Sequence, residues 1–285
     1  MNTLLMIGGE LCTRVANALA HDSWKVIGIR RTPVSKELAG PITWYQADLA
    51  SPQSLSFLGE STFASVSHVL YAPSPDSRSA AHYESVYPQG LGALLSKLPT
   101  SCIGRLQRCI LVGSSAVWAP SKAWVDEDTP PIAANFRARA LLQAEEILHT
   151  RLPLGAAVAL RLSGLYGPGR THLLNALRAG TIPAPDGPGH WSNRIHIDDA
   201  ASACAHLLAL PAPKPLYIGT DNCPLPTSTL YDSVAKLLGA PTPARKYCDP
   251  SGKRLSNNRL RASGWTPSWG SALDWYKSVL CQSNL

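Results

Sequence analysis

The sequence predicts an α/β fold: a doubly wound parallel sheet with a smaller C-terminal lobe. Three observations carry this. Short apolar runs alternate with amphipathic stretches through the first half of the chain. The first of these runs enters a glycine pair and then a helix. After about Gly164 the texture changes, and proline and glycine become frequent. Leu4–Ile7, Val26–Ile29, Val69–Tyr71, Cys109–Val112 and Ala156–Leu160 read as buried strands, being short and apolar. Between them, Arg14–Ala20, Gly90–Leu98 and Phe136–His149 read as helices. In the last, Ala138, Leu141, Leu142, Glu145 and Leu148 recur at helical spacing. Gly167-Pro168-Gly169 and the stretch from Pro183 to Gly189 read as loops. Asp198–Leu210 then returns as a helix with Asp198 or Asp199 near its N-cap, and Leu216–Ile218 as a strand. Thr227–Leu238 reads as a helix capped by Thr227 or Ser228 and stopped by Gly239; Leu255–Arg261 and Ser271–Leu280 read as short closing helices. The expected division is residues 1–163 in the sheet domain, with 196–220 returning to it, and residues 164–195 and 221–285 in the smaller lobe.

Composition excludes several classes. The chain has 285 residues, 45% hydrophobic and 16% charged, against about 25% charged in average globular proteins. Such a chain buries enough apolar surface to fold and is not intrinsically disordered. No apolar run approaches the ~20 residues that span a bilayer. Leu4–Ile7 is short and follows no basic region, so it does not read as a secretory signal. The seven cysteines (12, 102, 109, 204, 223, 248 and 281) are odd in number and form no Cys-x-x-Cys pair. Reduced thiols in a cytoplasmic setting are expected, and no metal site. The net charge of +7 is dispersed, with no basic run beyond Arg30-Arg31, so neither nucleic acid nor membrane is the expected partner. Nucleophile-elbow, Walker A and His-Glu-x-x-His motifs are absent from the sequence.

The turn Ile7-Gly8-Gly9-Glu10-Leu11-Cys12 has the small residues with which a backbone turns tightly and approaches a pyrophosphate at a helix N-terminus. In register with G-x-G-x-x-G, Gly9 is the middle glycine, Ile7 replaces the first and Cys12 the third. A buried strand ending in a glycine turn reads equally well from these residues alone. The second strand runs into Gly28-Ile29-Arg30-Arg31-Thr32. An NAD site usually carries an acid there for the ribose 2′-hydroxyl. Two guanidinium groups suit a 2′-phosphate instead, which favours NADP(H), the other reading being a solvated loop with two surface arginines.

Gly9-Glu10-Leu11, Arg30-Arg31, Ala47-Asp48-Leu49, the stretch from Val112 to Trp118 (Val-Gly-Ser-Ser-Ala-Val-Trp), Leu160-Arg161 through Tyr166-Gly167-Pro168, and Asn193-Arg194-Ile195-His196-Ile197-Asp198-Asp199 occur in this order. Together they resemble the extended short-chain dehydrogenase/reductases, the NAD-dependent epimerase/dehydratase family, over essentially the whole chain. The stretch from Gly252 to Asn257 also looks like a small subgroup of bacterial reductases with little assigned chemistry. The resemblance implies a Rossmann-type NADP-binding domain, a C-terminal substrate-binding lobe, a small-molecule substrate between them, and a homodimer as the assembly common among relatives. By position it implies that Gly8, Gly9, Glu10 and Leu11 cradle the phosphates while Asp48 and Leu49 lie against the adenine. Ala72 and Pro73 pass under the nicotinamide ribose. Ser114 hydrogen-bonds the reacting oxygen, and Ser163 and Gly164 form the turn beside the nicotinamide. Arg161 has a structural role with its hydrogen bonds satisfied.

The family's proton machinery is missing. A Tyr and a Lys four residues later belong on the helix after the serine strand. With Glu145 in register, Arg137 occupies the Tyr position and Leu141 the Lys position. Arg stays protonated and cannot cycle as an acid–base, and Leu cannot hold a ribose. Three classes stay open. One is an NADP(H)-dependent reductase of a C=O, C=N or conjugated C=C group. Another is a redox-neutral cyclase, isomerase, epimerase or dehydratase; the last is a non-catalytic NADP-binding sensor. The candidate catalytic residues are Ser114 as orienting donor, Arg137 as electrostatic stabiliser, and Tyr83, His172 and His190 as proton donors, with Tyr87 and Tyr166 behind them. Trp118 and Trp191 would suit an aromatic or polycyclic substrate.

Overall fold

A computed structural model describes residues 1–19, 23–32, 42–121, 123–187, 189–250 and 252–282. Ala20, the expected end of the first helix, and Pro188 of the 183–189 loop lie outside the described residues. Seven strands form the central sheet: β1 (Asn2–Gly8), β2 (Trp24–Arg30), β3 (Ile42–Gln46), β4 (His68–Ala72), β5 (Arg108–Ser114), β6 (Ala157–Leu162) and β7 (Leu216–Gly219). Their order is β7-β6-β5-β4-β1-β2-β3. β1 pairs in parallel with β2 (Leu4 beside Val26) and with β4 (Gly8 beside Ala72); β2–β3 and β4–β5 are parallel as well. This is the doubly wound α/β architecture that the alternation predicts. Leu4, Leu5, Met6, Val69, Leu70, Ile110, Leu111, Val158 and Leu160 are all fully buried. Consecutive residues point to opposite faces, so both faces of the sheet are covered, as a parallel sheet requires.

Strand β3 has no counterpart among the expected elements. It is the sheet's edge, with Thr43 and Gln46 exposed, so its sequence lacks the continuous apolar run of the central strands. Helix α1 (Glu10–Ala18) starts four residues before the expected Arg14. Helix α2 (Phe136–Arg151) begins where expected because the Asn135 side chain accepts hydrogen bonds from the Arg137 and Ala138 amides. The expected helix over Leu255–Arg261 resolves into a short strand, Arg254–Leu255, paired with Trp124–Val125, and a helix only from Asn258. The helix at Thr227–Leu237 is preceded by Pro226, not capped by Thr227 or Ser228.

By its contacts the chain divides into a first unit of Met1–Trp118, Ile132–Arg161 and Ala201–Tyr217, and a second of Ala119–Pro131, Leu162–Ala200 and Ile218–Leu285. Residues 119–131, which sequence reasoning left in the sheet domain, thus belong to the second unit. Their strand pairs at Arg254, and the buried Glu127 carboxylate accepts the Ile218 amide hydrogen at 2.8 Å. The second unit has its own core of Tyr166, Leu174, Leu177, Leu230, Val234, Trp275 and Tyr276. Among the described residues no helix is long and apolar enough to cross a membrane.

Candidate functional site

In the sheet order β1 lies between β2 and β4, so crossovers leave it in opposite directions and a crevice opens beyond its carboxyl end. Gly8 ends the strand at φ +144°. A Cβ there would sit 2.4 Å from the Ala72 carbonyl oxygen and 3.0 Å from Cys12 Sγ. Gly9 is the opposite case: a Cβ on it would meet nothing within 4 Å. It is the N-cap of α1, and no side chain caps that helix. An open space over a glycine, beside a helix N-terminus left without a side-chain cap, is what an anionic phosphate needs. The residues present therefore fit a dinucleotide's pyrophosphate. Cys12 fills the third-glycine position as a packing group, and its burial pushes the thiol up to about 12. Gly8→Ala is expected to cost ~2–4 kcal/mol, from positive φ and a carbonyl clash together. Urea denaturation measures it, and an unchanged midpoint would refute the close approach.

At the end of β2 the two arginines differ. A Cβ on Gly28 would lie 2.4 Å from the Trp44 ring, so the glycine lets this indole of β3 lie across β2. The Arg30 guanidinium stacks 5.7 Å from the same ring. Arg31 makes a two-point ion pair with Asp76, both side chains being about half exposed. After β3, Asp48 shapes its own loop: one carboxylate oxygen accepts the Ala50 amide hydrogen at 2.9 Å, and its amide donates to Ser54 Oγ. Leu49 is buried, and Gly90 leaves room for it and for the Tyr71 hydroxyl. Pro73 follows Ala72 at the end of β4. Gly8, Gly9, Glu10, Leu11, Arg30, Arg31, Asp48, Leu49, Ala72 and Pro73 thus all lie in the first unit, at or just beyond the carboxyl ends of β1–β4.

Ser114 ends β5. Its Oγ accepts the Ala116 amide hydrogen at 3.2 Å, which leaves the hydroxyl hydrogen to donate elsewhere. Tyr83 and Arg137 flank one ring: Tyr83 meets Phe136 edge-on at 5.7 Å, and the Arg137 guanidinium lies 5.5 Å from the Phe136 centroid. Tyr87 adjoins Tyr83, and burial raises its phenol well above the ordinary range. One turn further along α2, Leu141 is core. Next, Glu145 binds the Arg161 guanidinium through Nε at 2.9 Å and Nη2 at 2.7 Å. Arg161 also stacks 4.5 Å from Trp118, which is buried and so is a packing residue. The expected full satisfaction of Arg161 is corrected: its Nη1 is buried with no hydrogen-bond partner among the described residues.

The remaining candidates lie in the second unit. Ser163 donates its amide hydrogen to Gly219 O, while its buried Oγ has no hydrogen-bond partner among the described residues. Gly164 is exposed and donates to Asn193 O. His172 is an exposed residue at the start of its helix. His190 is buried, with Nδ1 3.9 Å from Cys248 Sγ. Sequence reasoning missed three residues. Trp44 sits on the unrecognised edge strand. Asp76 lies 45 residues from its partner. Asp221 is a buried carboxyl that accepts the Cys223 and Ala272 amide hydrogens at 3.1 Å; burial pushes it up to about 7. No local pattern marks any of them. Among the described residues no group of three or more His, Cys, Asp or Glu is placed to hold a metal.

No family model matches the sequence. Protein YeeZ of Escherichia coli K12 is 31% identical over 163 residues, 57% of this chain and 58% of its own length. A 3-diazoavenalumate denitrifying reductase of a Streptomyces species is 36% identical over 125 residues, 42% of this chain and 40% of that one. These matches thus span less than two thirds of either curated relative. The similarity to a Methylobacillus flagellatus structure classed as an NAD-dependent epimerase/dehydratase is complete in length: 31% identity and a TM-score of 0.79, over 100% of this chain and 99% of the other. With that full-length match and the glycine cradle at the end of β1, the chain belongs to the NAD-dependent epimerase/dehydratase family.

Proposed function

We propose that the chain is an NADP(H)-dependent reductase of a small organic molecule, acting without a tyrosine–lysine pair. The observation that carries this reading is Leu141. The position that would hold the lysine is sealed in the core, while the space over Gly9 stays open. When bound, the nicotinamide would supply hydride. Gly9 and the first turn of α1 would hold the pyrophosphate, and Arg30 the 2′-phosphate. Ser114 keeps a hydroxyl hydrogen to orient an acceptor atom. Arg137 supplies a fixed positive charge beside Phe136, which stabilises an anion forming on the substrate. None of these groups can pass a proton at neutral pH. The substrate that suits them carries a conjugated C=C or quinone group, on which the charge left by reduction would be delocalised, or an iminium, which reduction would leave neutral. For the first two, water would deliver the proton. The Streptomyces relative is named for reduction of a diazo compound, which favours reduction over a redox-neutral step.

NADPH fluorescence titration, followed by oxidation assays against enones, quinones, imines and saturated ketones, tests the reading. Turnover of the conjugated acceptors at least a hundredfold above the saturated ketones is expected. Turnover with the cofactor unchanged would replace the reading with a redox-neutral one. Arg30→Ala is expected to weaken NADPH about ten- to a hundredfold, the range of a charge-assisted hydrogen bond, and NADH less than threefold. Equal losses would remove the 2′-phosphate assignment.

A further inference from the structure

We propose that Asp76 is a specificity-determining residue: it holds Arg31 in an ion pair that must open before Arg31 can meet the 2′-phosphate of a phosphorylated cofactor. The inference rests on the cofactor reading above. Arg31 directly follows β2, and Asp76 stands four residues beyond β4. These strands are not neighbours, because β1 lies between them. Adjacent strands are about 4.8 Å apart, so the pair joins segments that leave strands roughly 10 Å apart in the sheet. The pair is thus a strap on the Arg31 guanidinium.

The strap has two consequences. The free protein presents Arg31 already neutralised, so its charge does not attract a phosphate until the pair opens. Competence to engage the 2′-phosphate through Arg31 also belongs only to the open fraction, and the apparent affinity for the phosphorylated cofactor falls accordingly. Both groups are about half exposed, so water competes for them and the pair opens readily. Once freed, Arg31 sits one residue from Arg30 and can add a second guanidinium to a phosphorylated ribose. Asp76 thereby sets how strongly the site prefers the phosphorylated cofactor, and Arg30, stacked on Trp44, supplies the standing charge.

The test is a double-mutant cycle on the full chain with Asp76→Asn, Arg31→Ala and both together. NADPH and NADH binding are followed by fluorescence titration and stopped flow. Asp76→Asn is expected to tighten NADPH about three- to fivefold and to speed its association, with less effect on NADH. Arg31→Ala is expected to cost at least threefold more affinity in the Asp76→Asn background than in the native one. Additive effects would overturn the proposal. So would weaker NADPH binding by Asp76→Asn, which would mean that the carboxylate touches the cofactor itself. If the native chain binds neither nucleotide, the cofactor reading falls and the strap falls with it, an outcome distinct from native binding that Asp76→Asn leaves unchanged.

Discussion

Glu145→Ala is expected to destabilise the first unit by about 3–5 kcal/mol, the usual cost of removing one partner from a buried ion pair. Glu145 is 7% and Arg161 4% exposed, and the guanidinium already has one nitrogen without a hydrogen-bond partner among the described residues. Without the carboxylate, the guanidinium would keep the Trp118 face but lose its counter-charge in a low-dielectric interior. The companion replacement, Glu145→Leu with Arg161→Met, removes both charges and keeps volume; it is expected to recover most of the loss. Urea denaturation of the native chain and both variants measures this. A single variant as stable as the native chain would show that the pair contributes nothing.

The second large effect is a pH dependence from Asp221. Its burial holds the carboxyl protonated in the native state up to about pH 7, whereas the unfolded chain releases that proton near pH 4. The native state therefore binds more protons between these values, and stability falls as pH rises through that window. The contribution is fully present below about pH 4 and is lost above the native pKa. A shift of about three units corresponds to roughly 4 kcal/mol. Asp221→Asn cannot ionise, so its stability relative to the native chain should rise by that order between pH 4 and pH 8. Its loss of one amide acceptor is a constant offset over the same range. Denaturation midpoints at several pH values decide it, and a pH-independent difference would mean that the carboxyl ionises at its ordinary value.

Legibility in the sequence follows how local each cause is. Central strands announced themselves because burial on both faces demands uninterrupted apolar residues. Edge strand β3, half exposed, did not, and Trp44 lies on it. The start of α2 was readable because its cap, Asn135, is adjacent in sequence. Arg254–Leu255 reads as helix in the sequence but forms a strand, because its partner is Trp124–Val125, some 130 residues earlier.

What the sequence determined by itself was the doubly wound sheet and the glycine turn after β1. These are statements about residue type and short-range order, which hydrophobic periodicity and backbone sterics convert directly into structure. Only the tertiary structure decided that Arg31 is held by Asp76 while Arg30 stacks on Trp44, and that Tyr83 and Arg137 share one aromatic ring. It alone decided that Arg161 leaves one nitrogen without a hydrogen-bond partner among the described residues and that Asp221 keeps its proton near neutrality. The physical reason is common to all four: charge and hydrogen bonding depend on which groups meet and how much water is excluded, and strand order, not sequence distance, sets both.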